Sequence, residues 1–135
     1  MTEQRIYYED TDAGGVVYYA NYLRYLERGR TEYLRERGCS VRELQEKGYF
    51  IPVMRLEIDY LSPAVMDDLI RVDTTVLEMT GATFTLGQRV VRTADERPLL
   101  ESKVTLACLG PGRIARRLPK ELLLALREEK ECLPF

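Results

Sequence analysis

Residues 7–33 read YYEDTDAGGVVYYANYLRYLERGRTEY, and the periodicity of the chain changes inside them. Just before, residues 3–9 (EQRIYYE) are β-prone and place Ile6 and Tyr8 on one face of a strand. Asp10-Thr11-Asp12 and Gly14-Gly15 then favour irregular backbone, so residues 10–17 form a turn. From Tyr18 the period becomes helical. Tyr22, Leu26, Gly29 and Tyr33 form one stripe, and Arg24, Glu27, Arg28, Thr31 and Arg35 cover the other side. Arg28 and Glu32 are spaced to pair weakly. Glycine inside a helix costs about 1 kcal/mol against alanine, so Gly29 on the apolar stripe suggests close approach to another element. Gly38 is placed to stop the helix. This order puts carboxylates beside the N-terminal end of a long helix.

Working outward, Cys39 to Gly48 reads as a short second helix anchored by Val41 and Leu44. The period then falls to two. Met54, Leu56, Ile58 and Tyr60 alternate with Arg55, Glu57 and Asp59, as in a half-buried antiparallel strand ended by Ser62-Pro63. After Asp67-Asp68, Ile70, Val72, Thr74 and Val76 alternate with Arg71, Asp73 and Thr75. After Thr80-Gly81, residues 82–93 carry Phe84, Leu86, Gln88 and Val90 on one face. Asp95 to Pro98 turns the chain, and residues 99–109 point Leu100, Val104, Leu106 and Cys108 inward. Pro119 suits the first turn of a last helix that buries Leu122, Ala125 and Leu126. One strand, a long helix and four consecutive strands make an α+β domain over residues 1–135, in which the helix lies on a curled antiparallel sheet.

Composition narrows the chemistry. The chain has 135 residues, with 20 basic and 22 acidic side chains for a net charge of −2. That balance argues against nucleic acid as a partner. No apolar run approaches a membrane span, and residues 1–20 hold no signal-like apolar core. Cys39, Cys108 and Cys132 are widely spaced and odd in number, which suits reduced thiols of a cytoplasmic protein better than disulfides or zinc. There is no histidine. Serine–histidine and cysteine–histidine schemes are thereby removed, and carboxylates become the leading acid–base groups.

From spacing alone, Asp10 and Asp12 read as turn or capping residues, and a metal role for the pair is weak without further carboxylates. Gly14 and Gly15 either make the turn or let a ligand reach the backbone. Asn21 suits local backbone satisfaction. Tyr18, Tyr19, Tyr22, Tyr25 and Tyr33 are core or interface residues by default. Arg113, Arg116 and Arg117 read as surface charge, or as a phosphate-binding group, which arginine serves well.

The segment YYEDTDAGGVVYYANYLRYLERGRTEYL resembles the signature of the hotdog-fold acyl-CoA thioesterases. It is most similar to the 4-hydroxybenzoyl-CoA thioesterase group and its YbgC-like, Tol–Pal-associated branch. Tyr60, Pro63, Ala64 and Asp67-Asp68 match a Y-x-x-P-A-x-x-D-D segment of that branch, and Arg117-Leu118-Pro119 its R-x-L-P. The resemblance covers essentially the whole chain. It implies a hotdog fold, hydrolysis of acyl-CoA thioesters without cofactor or metal, and a homo-oligomer with active sites at the subunit interface, as a dimer or a tetrameric dimer of dimers. It implies Asp12 as the catalytic carboxylate, as general base or nucleophile, and the Tyr19 backbone N–H as oxyanion donor. Gly14, Gly15, Val17, Tyr18, Tyr22 and Arg117 follow as substrate-binding residues. Burial against Tyr18 and Tyr22 is expected to raise the basicity of Asp12, against the pull of the helix dipole.

Two departures stand out. The YbgC-like branch usually has histidine where this chain has Tyr19, although the 4-hydroxybenzoyl-CoA type carries tyrosine there. The basic residues that precede the position of Phe84 in that type are replaced by Gly81-Ala82-Thr83. The resemblance leaves two further readings. One is dehydration of a hydroxyacyl thioester, which in hotdog relatives generally uses histidine. The other is a module that binds acyl-CoA or acyl-carrier protein with little turnover.

Overall fold

The computed structural model describes residues 2–131. Five strands, β1 (Thr2–Arg5), β2 (Val53–Tyr60), β3 (Leu69–Met79), β4 (Thr83–Arg92) and β5 (Arg97–Ala107), pair antiparallel in the order β1-β3-β4-β5-β2. The registers Ile70↔Arg92 and Phe84↔Leu106 put the predicted inward residues on one face, where Ile70, Val72, Phe84, Leu86, Val90, Leu100, Val104 and Leu106 are buried. On that face lies α1 (Tyr22–Glu36), with α2 (Val41–Glu46) and α3 (Lys120–Glu131) closing one end. The α+β expectation of a long helix on an antiparallel sheet is met.

The apolar stripe of α1 is buried as its spacing requires: Tyr22, Leu26, Gly29 and Tyr33 all face the sheet. Gly29 marks the closest approach. A Cβ there would lie 2.6 Å from Val72 Cγ1 and 3.2 Å from Gln88 Nε2, so only glycine lets α1 settle on β3 at this depth. Helix and sheet enclose two apolar clusters. One holds Ile6, Val17, Tyr22, Tyr25 and Leu26 with Ala64, Ile70 and Val90. The other holds Tyr33, Leu34, Leu44, Phe84 and Leu106 with Leu122 and Leu126.

Several expectations need correction. The first strand ends at Arg5. Tyr8–Asp10 is a 3-10 turn capped by Asp10, whose Oδ2 accepts the Tyr7 N–H at 2.8 Å, and Tyr8 is exposed while Ile6 is buried. Tyr18 is extended because its N–H is taken by the Asp10 carbonyl, so the helix opens as a 3-10 turn over Tyr19–Asn21 before α1. Arg28 reaches Gln4 Oε1 at 2.9 Å, and Glu32 pairs with Arg35 instead. Pro98 lies within β5, and Pro119 precedes α3, its carbonyl accepting the N–H groups of Leu122 and Leu123. The apolar face of β2 is not half-buried in the single chain: Val53, Met54, Leu56 and Tyr60 are exposed, and Ile58 is the residue packed on the core. The cause is position. β2 is an edge strand, while α1 packs on the same face over β3 and β1, toward the opposite edge of the sheet. Cys39 and Cys108 are buried free thiols, and Cys132 lies outside the described residues.

Candidate active site

The loop between β1 and α1 is pinned at both ends. Thr11 bridges Val17, the Asp12 N–H donates to the Val16 carbonyl, and the Gly15 N–H returns to the Asp12 carbonyl. Gly15 closes the turn at φ +81, a conformation that favours glycine. The Asp12 carboxylate accepts the Gly14 N–H on Oδ1 at 2.8 Å, and a side chain at 14 would begin 3.2 Å from that oxygen. The second carboxylate oxygen has no hydrogen-bond partner among the described residues. Asp12 is exposed in the single chain, so the expected burial against Tyr18 and Tyr22 is corrected: the tight turn engages the carboxylate with its own Gly14 N–H.

Asp10 ties this loop to the helix. Its carbonyl accepts both the Tyr18 N–H at 3.0 Å and the Asn21 side-chain amide at 2.9 Å. Asn21 thus satisfies local backbone, as its position suggests. At the first turn of the helix, the N–H groups of Tyr19 and Ala20 have no acceptor among the described residues. Such unpaired amides at a helix start attract negative charge. Asp12 and these amides therefore stand in one pinned loop-and-helix unit.

Tyrosines build the wall beside them. The Tyr60 hydroxyl donates to the Tyr19 carbonyl at 3.0 Å, and the Tyr22 hydroxyl accepts the Ala64 N–H at 3.2 Å. The Tyr19–Tyr60 and Tyr22–Tyr60 rings meet near edge-on, at 6.4 and 5.7 Å between centroids. Val17, Tyr19, Tyr22 and Tyr60, with Leu61 and Pro63, line an open hollow of about 270 Å³. Burial holds the Tyr22 and Tyr60 hydroxyls above the usual phenol range. Burial, and then the adjacent Asp10, do the same for Tyr25. These hydroxyls stay protonated at neutral pH.

Of the predicted residues, Asp12, Gly14, Gly15, Val17, Tyr18, Tyr19 and Tyr22 come together here. Arg117 does not. Its carbonyl accepts from Cys108 Sγ, and the neighbouring Leu118 N–H bonds to Gly81, at the opposite end of β3. The eleven residues of β3 place it roughly 30 Å from the Asp12 end within one chain. Sequence reasoning did not assign a site role to Tyr60 or Ala64, whose only signal was the Y-x-x-P-A spacing. It also did not foresee that Arg30 would bond to the buried Gln88. Among the described residues no three Cys, Asp or Glu side chains converge to hold a metal ion, and no helix is long and apolar enough to cross a membrane.

The profile of the thioesterase-like superfamily matches residues 7–126. An acyl-CoA thioesterase YbgC from Haemophilus influenzae is 44% identical over 128 residues, covering 93% of each chain. An acyl-CoA thioester hydrolase YbgC from Escherichia coli O157:H7 is 37% identical over 125 residues, 92% of each chain. Among solved structures, a probable thioesterase from Bartonella henselae superposes with a TM-score of 0.82 at 36% identity, over 87% of this chain and 97% of that one.

Proposed function

The chain belongs to the thioesterase-like superfamily, and on that footing we propose that it hydrolyses acyl-CoA thioesters to the free acid and CoA. The observation that carries this reading is the placement of the Asp12 carboxylate and the unpaired Tyr19 amide in one pinned unit. The thioester carbonyl oxygen sits on the Tyr19 N–H, where the helix start stabilises the negative charge that develops as the carbon becomes tetrahedral. Asp12 takes a proton from water as its oxygen attacks that carbon, or attacks it directly to form an anhydride that water then opens. The C–S bond breaks, and CoA leaves as a thiolate that picks up the proton. Gly14 and Gly15 leave the approach to Asp12 open, and Val17, Tyr18 and Tyr22 line the acyl entrance.

The enzyme acts as a dimer or a dimer of dimers. β2 exposes Val53, Met54 and Leu56 along an unpaired edge, which a second copy covers. Antiparallel pairing of two β2 edges sets the Val53 end of one copy beside the Tyr60 end of the other. Phe50 just before Val53 bridges Leu109, so the segment that continues to Arg113 and Arg117 approaches the neighbouring Asp12. Arg117 then reaches CoA phosphate across the dimer. A cytoplasmic setting keeps the buried Cys39 and Cys108 reduced.

Thiol release from short, long and aromatic acyl-CoA esters tests the reading, with wild type and Asp12→Asn side by side. Turnover on at least one ester should fall by about a hundredfold or more in the variant, with unchanged thermal melting. Equal turnover in both removes Asp12 from the site. Binding of acyl-CoA without turnover of any ester sinks the esterase and leaves a binding module.

A further inference from the structure

α1 packs over β3 and leaves a groove between its outer flank and β2. The groove follows one face of the helix. Tyr19, Leu23, Leu26 and Arg30 recur three and four residues apart, so the face that starts at the unpaired Tyr19 amide runs on to Arg30. Across from it β2 descends in the opposite sense: Tyr60 touches Tyr19 through its hydroxyl, and Leu56 and Val53 face Leu23 and Leu26. This front section has a volume of about 270 Å³ and is largely apolar. A second hollow of about 250 Å³ lies behind it, lined by Leu34, Val41, Ile51, Phe84 and Leu86. Glu27 and Arg30 are the side chains common to both.

Arg30 is the unusual member of this pair. It is partly buried, and no carboxylate lies within ion-pair distance of it among the described residues. Its guanidinium donates to Gln88 Oε1 at 3.2 Å. Gln88 is 1% exposed and is fixed by its own Nε2, which donates to the Leu26 carbonyl at 2.9 Å and to Thr74 Oγ1 at 3.1 Å. A cation held this way in an apolar groove carries a desolvation cost that the attraction of Glu27, beyond ion-pair distance, opposes only in part.

We propose that Arg30 is the end wall of the acyl channel: it sets the longest acyl group the enzyme accepts by closing the front section from the hollow behind it. This rests on the thioesterase reading, with the thioester carbonyl at Tyr19 and the acyl chain lying along Leu23 toward Arg30. A hydrocarbon tail driven against the guanidinium would strip water from it without supplying an acceptor, so longer chains are rejected by charge as well as by bulk. Removing the charged head while keeping the stem joins the two hollows and comes close to doubling the channel.

The test is the chain-length profile of kcat/KM on saturated acyl-CoA esters for wild type, Arg30→Met and Arg30→Lys, with thermal melting recorded. Wild type and R30K should share one upper limit. R30M should move it to longer chains, with the ratio of long-chain to short-chain kcat/KM rising at least roughly tenfold, the scale that one or two methylenes command in an apolar pocket. An unmoved limit in R30M, or a uniform loss on all esters, overturns the proposal. Selective loss of esters with a terminal carboxylate also overturns it, making Arg30 an anchor instead of a wall. Should R30M not fold, Val41→Phe fills the rear hollow with Arg30 in place. An unchanged wild-type profile in V41F supports the wall, and trimming of the longest accepted chain overturns it. If wild type turns over no ester, the failure belongs to the thioesterase reading, and acyl-CoA affinity against chain length in wild type and R30M still decides the role of Arg30.

Discussion

At its C-terminal end α1 is tightly packed on the side away from the rear hollow. Tyr33 and Leu34 pack with Leu44 of α2, Leu122 and Leu126 of α3, and Phe84 and Leu106 of the sheet, and all are nearly inaccessible to water. Burial pushes the Cys39 thiol there up to about 11, so it is a neutral apolar filler. At its N-terminal end the same helix stays half open. Tyr18 and Tyr19 are exposed, the first amides are unpaired, and a polar loop is fastened by hydrogen bonds to the Asp10 and Ala64 carbonyls. One helix thus serves two tasks. Apolar burial at one end supplies stability, and the other end is left free to hold unsatisfied groups that a fully packed core would not tolerate.

The sharpest way to break this comparison is to damage the packed end. Leu122→Ala removes a completely buried side chain and should cost about 2–5 kcal/mol of stability. At a temperature where the variant is still folded, its kcat/KM on the best ester should match wild type. A loss of turnover as large as that of Asp12→Asn, measured on folded protein, would show that the two ends are not separable.

Gly29 sits between the ends, and a smaller change there sharpens the comparison. The Cβ of Gly29→Ala would meet Val72 at 2.6 Å, so the helix must lift from the sheet or Val72 must shift. The expected cost is about 1–3 kcal/mol. The lift also stretches the Gln88 bridge that joins Leu26 to Arg30. Denaturant melting together with the chain-length profile reads both effects. A variant as stable as wild type would mean that the close approach is not required.

Much of this division was legible in the sequence, because it rests on periodicity. Buried positions 22, 26, 29 and 33 repeat at helical spacing, and 84, 86, 88 and 90 alternate; both patterns follow from backbone geometry alone. Elements whose state depends on distant partners were not legible. Residues 6–9 have strand composition, yet Asp10 caps a 3-10 turn there. β2 alternates cleanly, but its strand order makes it an edge, and alternation says nothing about what covers an edge. At the site, the Asp12 loop was legible only as part of the continuous motif over residues 7–34. The Arg30–Gln88 bond joins residues 58 apart in sequence, and no local pattern announces it.

The smallest expected effect concerns the outer support of the open end. Asp95 is held by Arg92 at 2.8 Å, Arg92 also faces Asp68 at 3.8 Å, and Asp68 accepts the Val65 N–H beside Ala64. This chain of charges braces the loop whose Ala64 carbonyl and N–H secure Val17 and Tyr22. The Arg92 guanidinium pulls the Asp95 carboxyl down from 3.8 to about 2. Between those values the unfolded chain binds the proton more readily than the folded one, so stability rises with pH across that window. The contribution is fully present above about pH 4 to 5 and is lost as pH falls toward 2. Because Asp95 lies at the surface, the effect is small and screened by salt. Stability curves of wild type and Asp95→Asn should therefore run parallel above pH 5 and converge below 4. Amide exchange in that acid window should quicken around residues 62–68 before it quickens in α3. Exchange that quickens at both ends together would contradict a support local to the site, and curves that stay parallel down to pH 2 would remove Asp95 from it.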